Sequence, residues 1–279
     1  MRLKLIAFDL DGTLLDDRKQ LPEKNLEALW MAKAKGIELV PATGRILRGM
    51  PESLMSLGLF RYFIFANGAS VYDLQENRQL AAACLPPQLA VRICEYMDTL
   101  PVLYDCYRGT WGYMTEWMYD SAPDYFGLEP EILKLVKSLR KPVPDLKENI
   151  RKENRPLEKL QMYFRPDQME ERSRQLEELP KRFPEVRATS SLKNNIEINS
   201  IDAGKGHALL ALCLHLCIDP AECAAFGDGL NDADMLEAAG WGVAMQNADL
   251  RVKEKADAIV ESNNDAGVGK EILRLLGKE

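Results

Sequence analysis

Apolar residues come in short runs along this chain, and the runs end at small or acidic residues. Residues 4–8 (KLIAF) lead directly into Asp9, residues 37–42 into Thr43-Gly44-Arg45, and residues 62–66 into Asn67-Gly68. Between the first two runs, Leu21-Pro22-Glu23 opens a helical pattern with Leu26, Leu29, Trp30 and Ala34 on one face and Gly36 as its stop. A second helix is expected after Arg45, ending near Leu57-Gly58. This strand–helix alternation predicts a parallel sheet covered by helices.

From about residue 85 the rhythm changes. Aromatic-rich strand-like pieces (102–107, 111–115, 160–164) alternate with charged helices (131–140, 167–179), in a stretch holding most of the prolines. An inserted α+β domain is the reading. The α/β rhythm returns after Asn195-Ile196-Glu197-Ile198, with a helix over 207–216, a strand over 222–226, Gly227-Asp228-Gly229, a further helix and a strand over 241–245. The expected division is a core domain of residues 1–82 and 190–279 around an insertion of residues 83–189. A length of 279 residues agrees with two hydrophobic cores rather than one.

Composition narrows the function classes. A net charge of -7 argues against binding a nucleic-acid polymer, which needs a basic footprint. No apolar run approaches the roughly 18 residues of a membrane span, and the N-terminal segment has no small-residue cleavage site. The six cysteines form no zinc-like spacing, so they are expected as buried thiols in a reducing cytoplasm.

Three segments carry chemistry: Asp9-Leu10-Asp11-Gly12-Thr13, Thr43-Gly44-Arg45, and Gly227-Asp228-Gly229-Leu230-Asn231-Asp232. Each follows a predicted parallel strand, and open α/β sheets bind ligands at the carboxyl ends of their strands. Segments some 200 positions apart are therefore expected at one edge. Asp9, Asp11, Asp228 and Asp232 in one pocket repel one another unless a cation neutralises them. An all-oxygen set without Cys or His suits Mg²⁺. An EF-hand is excluded, because neither Asp segment has the glycine and glutamate that loop requires.

These segments, with Lys205-Gly206, resemble the four motifs of the haloacid dehalogenase superfamily, in order. Residues 235–240 and 243–248, Ala256-Asp257 and Asn264-Asp265-Ala266-Gly267-Val268 are similar to the Cof-like phosphatases of that superfamily. The resemblance implies a doubly wound, Rossmann-like core with an inserted α+β cap that closes over the site. It also implies a Mg²⁺-dependent phosphatase acting on a small phosphorylated metabolite such as a sugar phosphate, nucleotide or cofactor phosphate. Asp9 would be the nucleophile. Asp11 would protonate the leaving group and then activate water, its backbone carbonyl helping to hold the metal. Thr43, Gly44, Lys205 and Asn231 would bind the phosphoryl group, and Asp9 and Asp228 would bind the metal, with Asp232 doing so directly or through water. A phosphomutase of the same superfamily is the alternative. An inactive binding module would be expected to lack one of these residues, and all are present.

Arg45 and Asn67 are expected at the same edge, each as a substrate contact or as structure. His207 and His215 are read as structural, and the aromatic group between Tyr104 and Tyr119 as packing. Basic residues such as Arg151 and Arg187 are read as solvated surface. Substrate choice is expected to lie in residues 83–189, and the oligomeric state is not encoded legibly.

Overall fold

The computed structural model describes residues 2–126 and 130–277. It forms two compact units, one comprising the residues up to Arg45, Met50–Ala82 and those from Gly204 onward, the other Ile46–Gly49 and Ala83–Ala203.

The first unit opens with strand β1 (Leu5–Phe8), helix α1 (Glu23–Ala34), β2 (Glu38–Pro41), the short α2 (Glu52–Met55), and β3 (Tyr62–Phe65), β4 (Ser70–Asp73) and β5 (Arg78–Ala82). Two features differ from expectation here. The helix after Arg45 is broken into a 3-10 turn over Leu47–Gly49 and the four-residue α2, because Pro51 cannot continue a helix and sits at its N-cap. The buried stripe of α1 is Asn25, Ala28, Leu29 and Ala32, while Trp30 is half exposed. The stripe is shifted because it includes a polar residue: Asn25 donates to the Leu14 carbonyl at 2.8 Å and accepts the Gly269 N–H at 2.7 Å.

The second unit follows as α3 (Pro87–Met97), β6 (Leu103–Arg108), β7 (Trp111–Thr115), α4 (Glu116–Phe126), α5 (Pro130–Ser138), β8 (Arg140–Val143), α6 (Leu146–Glu153), β9 (Lys159–Tyr163), α7 (Met169–Arg182), β10 (Val186–Thr189) and β11 (Asn195–Ser200). Its six strands lie in the order β10-β11-β9-β6-β7-β8. β11 pairs antiparallel with both β9 and β10, so the chain leaves this unit after residue 203 rather than at 190. The polar–apolar alternation Asn195, Ile196, Glu197, Ile198 is that of a sheet packed differently on its two faces, unlike the continuous apolar run of a parallel core strand. One set of alternating residues (Leu160, Met162, Ile196, Ile198) joins the core with Ile93 and Met97 of α3. The other set is charged yet buried: Lys159 Nζ meets Glu197 Oε1 at 2.8 Å, and Arg140 pairs with Asp105. Buried pairs of this kind contribute little net stability, but each becomes costly once one partner is removed.

The chain returns to the first unit with α8 (Lys205–Leu216), β12 (Cys223–Gly227), α9 (Ala233–Ala238), β13 (Trp241–Met245), α10 (Leu250–Lys253), β14 (Ala258–Val260) and α11 (Gly267–Leu275). The sheet order β14-β13-β12-β1-β2 is parallel throughout, and a bridge from Ala42 to Ile64 continues it into the antiparallel β3-β4-β5 sheet. Leu5, Ala7 and Ala225 pack under Leu209 and Leu212 of α8 and Met235 of α9, while α1 and α11 pack against each other. The order reverses between β1 and β12. In open α/β sheets ligands bind at such a switch point, outside the carboxyl ends of the strands.

Candidate active site

Asp9 and Asp228 are the first residues past the ends of β1 and β12, and the Asp9 N–H donates to the Phe226 carbonyl at 3.0 Å, locking the two strand ends together. The following turn needs Gly12, which has φ +90 and lies so close to Asp228 that a Cβ there would sit 2.6 Å from Oδ2. Thr13 completes the turn by donating its hydroxyl to Asp228 Oδ1 at 2.6 Å.

Lys205 is the first residue of α8 and its side chain is fully buried. A cation at a helix N-terminus is disfavoured by the dipole. Here two carboxylates offset that cost: Nζ lies 2.5 Å from Asp9 Oδ1 and 2.5 Å from Asp232 Oδ1. The other oxygen of Asp232 accepts the Asp228 and Gly229 N–H groups at 3.0 and 2.9 Å, so Asp232 closes the loop after β12 while reaching Lys205.

Asp9, Asp228 and Asp232 each offer one oxygen within 4.8 Å of the others, the group among the described residues that could hold a metal ion. Three carboxylates face one ammonium. Ionised together they leave two negative charges uncompensated, which fits a hard divalent cation. Burial, then the neighbouring Asp232 and Asp228 charges, pushes the Asp9 carboxyl up to about 8 against the pull of Lys205. Burial and Asp232 push Asp228 up to about 6.

The Asp11 carboxylate lies outside this group. Arg45 holds it through Nε to Oδ2 and Nη2 to Oδ1, each at 2.8 Å, and Lys19 Nζ stands 2.9 Å from Oδ1. Against the cost of burial, these contacts lower the Asp11 carboxyl to about 2. The sequence pattern anticipated Arg45 at this edge but not its grip on Asp11, and it gave no sign of Lys19.

Thr43 is buried at the end of β2, beside β1, and its hydroxyl accepts the Arg45 N–H at 3.2 Å. Gly44 sits between them. Asn67 is buried with φ 59 and accepts from Asn231 Nδ2 at 3.1 Å, so two of the anticipated residues meet across 164 positions. Thr13, Asn247 and Asn263 were not singled out, although Thr13 and Asn247 lie in segments that carried the resemblance. His207 is exposed. Tyr104 is buried with its hydroxyl donating to Asp98 at 2.6 Å, which accords with packing.

The family model for haloacid dehalogenase-like hydrolases matches residues 6–272. Phosphatase YwpJ of Bacillus subtilis is 32% identical, covering 98% of this chain and 100% of that protein. The 5-amino-6-(5-phospho-D-ribitylamino)uracil phosphatase YcsE of Bacillus subtilis is 33% identical over 97% of this chain and 94% of its own length. A solved haloacid dehalogenase-like hydrolase from B. subtilis superposes with a TM-score of 0.81 at 30% identity, covering 98% of this chain and 100% of that one. A switch-point carboxylate cluster around a buried lysine and these matches lead to one conclusion: the chain belongs to the haloacid dehalogenase-like hydrolases and is a phosphatase.

Proposed function

We propose that this protein hydrolyses small phosphate monoesters through a phosphorylated Asp9, with Mg²⁺ held by Asp9, Asp228, Asp232 and the Asp11 backbone carbonyl. The observation that carries the reading is Lys205 bridging Asp9 and Asp232 inside a three-carboxylate group. That group has a nucleophile at a strand end and more negative charge than Lys205 can balance. When bound, the metal neutralises that charge and polarises the phosphoryl oxygens.

The Asp9 carboxylate attacks phosphorus and the bond to the leaving oxygen breaks, giving an acyl phosphate on Asp9. Asp11 supplies the proton that the departing alkoxide needs, then takes one from the water that attacks the same phosphorus and frees Asp9. An ion-paired carboxylate lowered to about 2 holds no proton near neutral pH, so Asp11 transfers protons after turning away from Arg45. Lys205 and Thr43 bind the transferring oxygens, where a buried ammonium acts as a compact point charge. Gly44 contributes backbone, and Asn231 with Asn67 lines the same edge. The substrate belongs to the class of small phosphorylated metabolites, and the ribitylamino-uracil phosphate named for one relative is one member to test.

The test is release of phosphate from p-nitrophenyl phosphate with and without Mg²⁺, in the wild type and in Asp9→Asn. The expected result is Mg²⁺-dependent hydrolysis that the variant loses. Full activity in Asp9→Asn would remove Asp9 from the chemistry.

A further inference from the structure

The loop that follows Asp9 is held by side-chain amides arriving from distant parts of the first unit. Asn25 takes the Leu14 carbonyl at 2.8 Å, Asn247 Nδ2 the Gly12 carbonyl at 2.8 Å, and Asn263 Nδ2 the Leu15 carbonyl at 3.1 Å. Asn263 is buried, also donates to Asp17 Oδ1 at 3.0 Å, and is itself fixed through its N–H to Asn247 Oδ1 at 3.1 Å. Asn264 continues the clasp, donating to Asp17 Oδ2 at 2.9 Å and accepting the Asp17 N–H at 3.1 Å.

Asn25 has an evident structural task, since it also ties α1 to α11 through the Gly269 N–H. Asn247 and Asn263 bind little else than this loop. What they hold is adjacent to Asp11 on every side. Leu15 is the bridge partner of Asp11 and Gly12 is its chain neighbour, so the two amides fix the backbone on both sides of the acid. A proton donor works only within hydrogen-bond reach of the leaving oxygen, and misplacement by about 1 Å can cost about a hundredfold.

We propose that Asn263 and Asn247 are positioning residues for proton transfer by Asp11, acting through the backbone carbonyls of Leu15 and Gly12. The proposal rests on the reading of Asp11 as the acid. Its test separates the two.

The measurement is kcat/KM over a series of substituted phenyl phosphates, from p-nitrophenyl to p-methoxyphenyl, whose leaving groups need progressively more protonation. Wild type, Asn263→Ala, Asn263→Asp, Asn247→Ala and Asp11→Asn are compared. With p-nitrophenyl phosphate the two alanine variants should lie within about threefold of wild type. With the p-methoxyphenyl ester they should fall by about tenfold or more. Asn263→Asp keeps the size and loses the donor, and should behave like Asn263→Ala. Asp11→Asn should steepen the same dependence further. If the asparagine variants lower kcat/KM by one factor across the series while Asp11→Asn steepens it, the amides are merely structural and the proposal fails alone. If Asp11→Asn leaves the slope unchanged, the acid assignment falls and takes the proposal with it. Should Asn263→Ala fail to fold, Asn247→Ala, whose side chain is exposed, decides between these outcomes.

Discussion

Arg45 grips both carboxylate oxygens of Asp11, through Nε and Nη2 at 2.8 Å each, and so holds this group away from the Asp9, Asp228 and Asp232 cluster. An Asp lowered to about 2 in the fold binds its proton less tightly than in the unfolded chain. Its stabilising contribution is present above pH 4 or so and disappears as pH falls towards 2. With the pair about one-third exposed, screening limits it to about 1 kcal/mol. Arg45→Met should therefore unfold at lower urea concentration than wild type at pH 7, with the difference shrinking as pH falls from about 4 through 2. Equal midpoints at pH 7 would show the pair to be without energetic weight.

The carboxylates of the cluster run the opposite way. Asp9 and Asp228 are raised to about 8 and about 6, so both bind protons more tightly folded than unfolded. The metal-free protein should lose stability as pH rises from about 4 to about 8. Asp9→Asn should flatten that fall. Thermal midpoints between pH 4 and 9 in the presence of a chelator check it, and a metal-free midpoint that rises steadily over that range would contradict the assignment.

Protons and a cation compete for the same oxygens. The midpoint gained on adding Mg²⁺ should therefore grow with pH and level off above about pH 8. Asp228→Asn should lose most of the gain. Calorimetric titration of both proteins at pH 6 and pH 8.5 measures it directly, and pH-independent affinity would argue against a site built on these two groups.

Lys205 pairs with both Asp9 and Asp232. Lys205→Met leaves buried carboxylates without their partner, and should cost about 3–5 kcal/mol in urea unfolding besides abolishing activity. Gly68 packs against the backbone that starts the helix carrying this lysine: it has φ +92, and a Cβ there would stand 2.1 Å from the Gly204 carbonyl. Backbone cannot yield cheaply at that distance, so Gly68→Ala should cost about 3 kcal/mol or more and displace the start of α8. Wild-type stability in that variant would contradict the close approach.

Much of this site was legible because strands announce their ends. An apolar run stopping at Asp9, and another stopping at Gly227-Asp228, place two carboxylates at one sheet edge whatever lies between them. Lys205 was legible only through resemblance, since a lysine before a helix is commonplace. The grip of Arg45 on Asp11 and the asparagine clasp were not legible. Such contacts join loops whose mutual placement follows from the finished sheet and from no periodicity. β11 was misassigned to the core for a related reason, since its alternation reports one polar and one apolar face but not which sheet supplies them. The buried Lys159–Glu197 and Arg140–Asp105 pairs stayed hidden because charged residues in a strand ordinarily signal solvent.

Covalent participation of Asp9 is the centre of the account. Acid quenching of wild-type enzyme during turnover, followed by peptide mass spectrometry, tests it most directly. The expected result is one phosphoryl group on the peptide containing Asp9, labile to hydroxylamine as an acyl phosphate is, and absent from Asp9→Asn. An unmodified Asp9 peptide under burst conditions, with phosphate still released by Asp9→Asn at the wild-type rate, would contradict it.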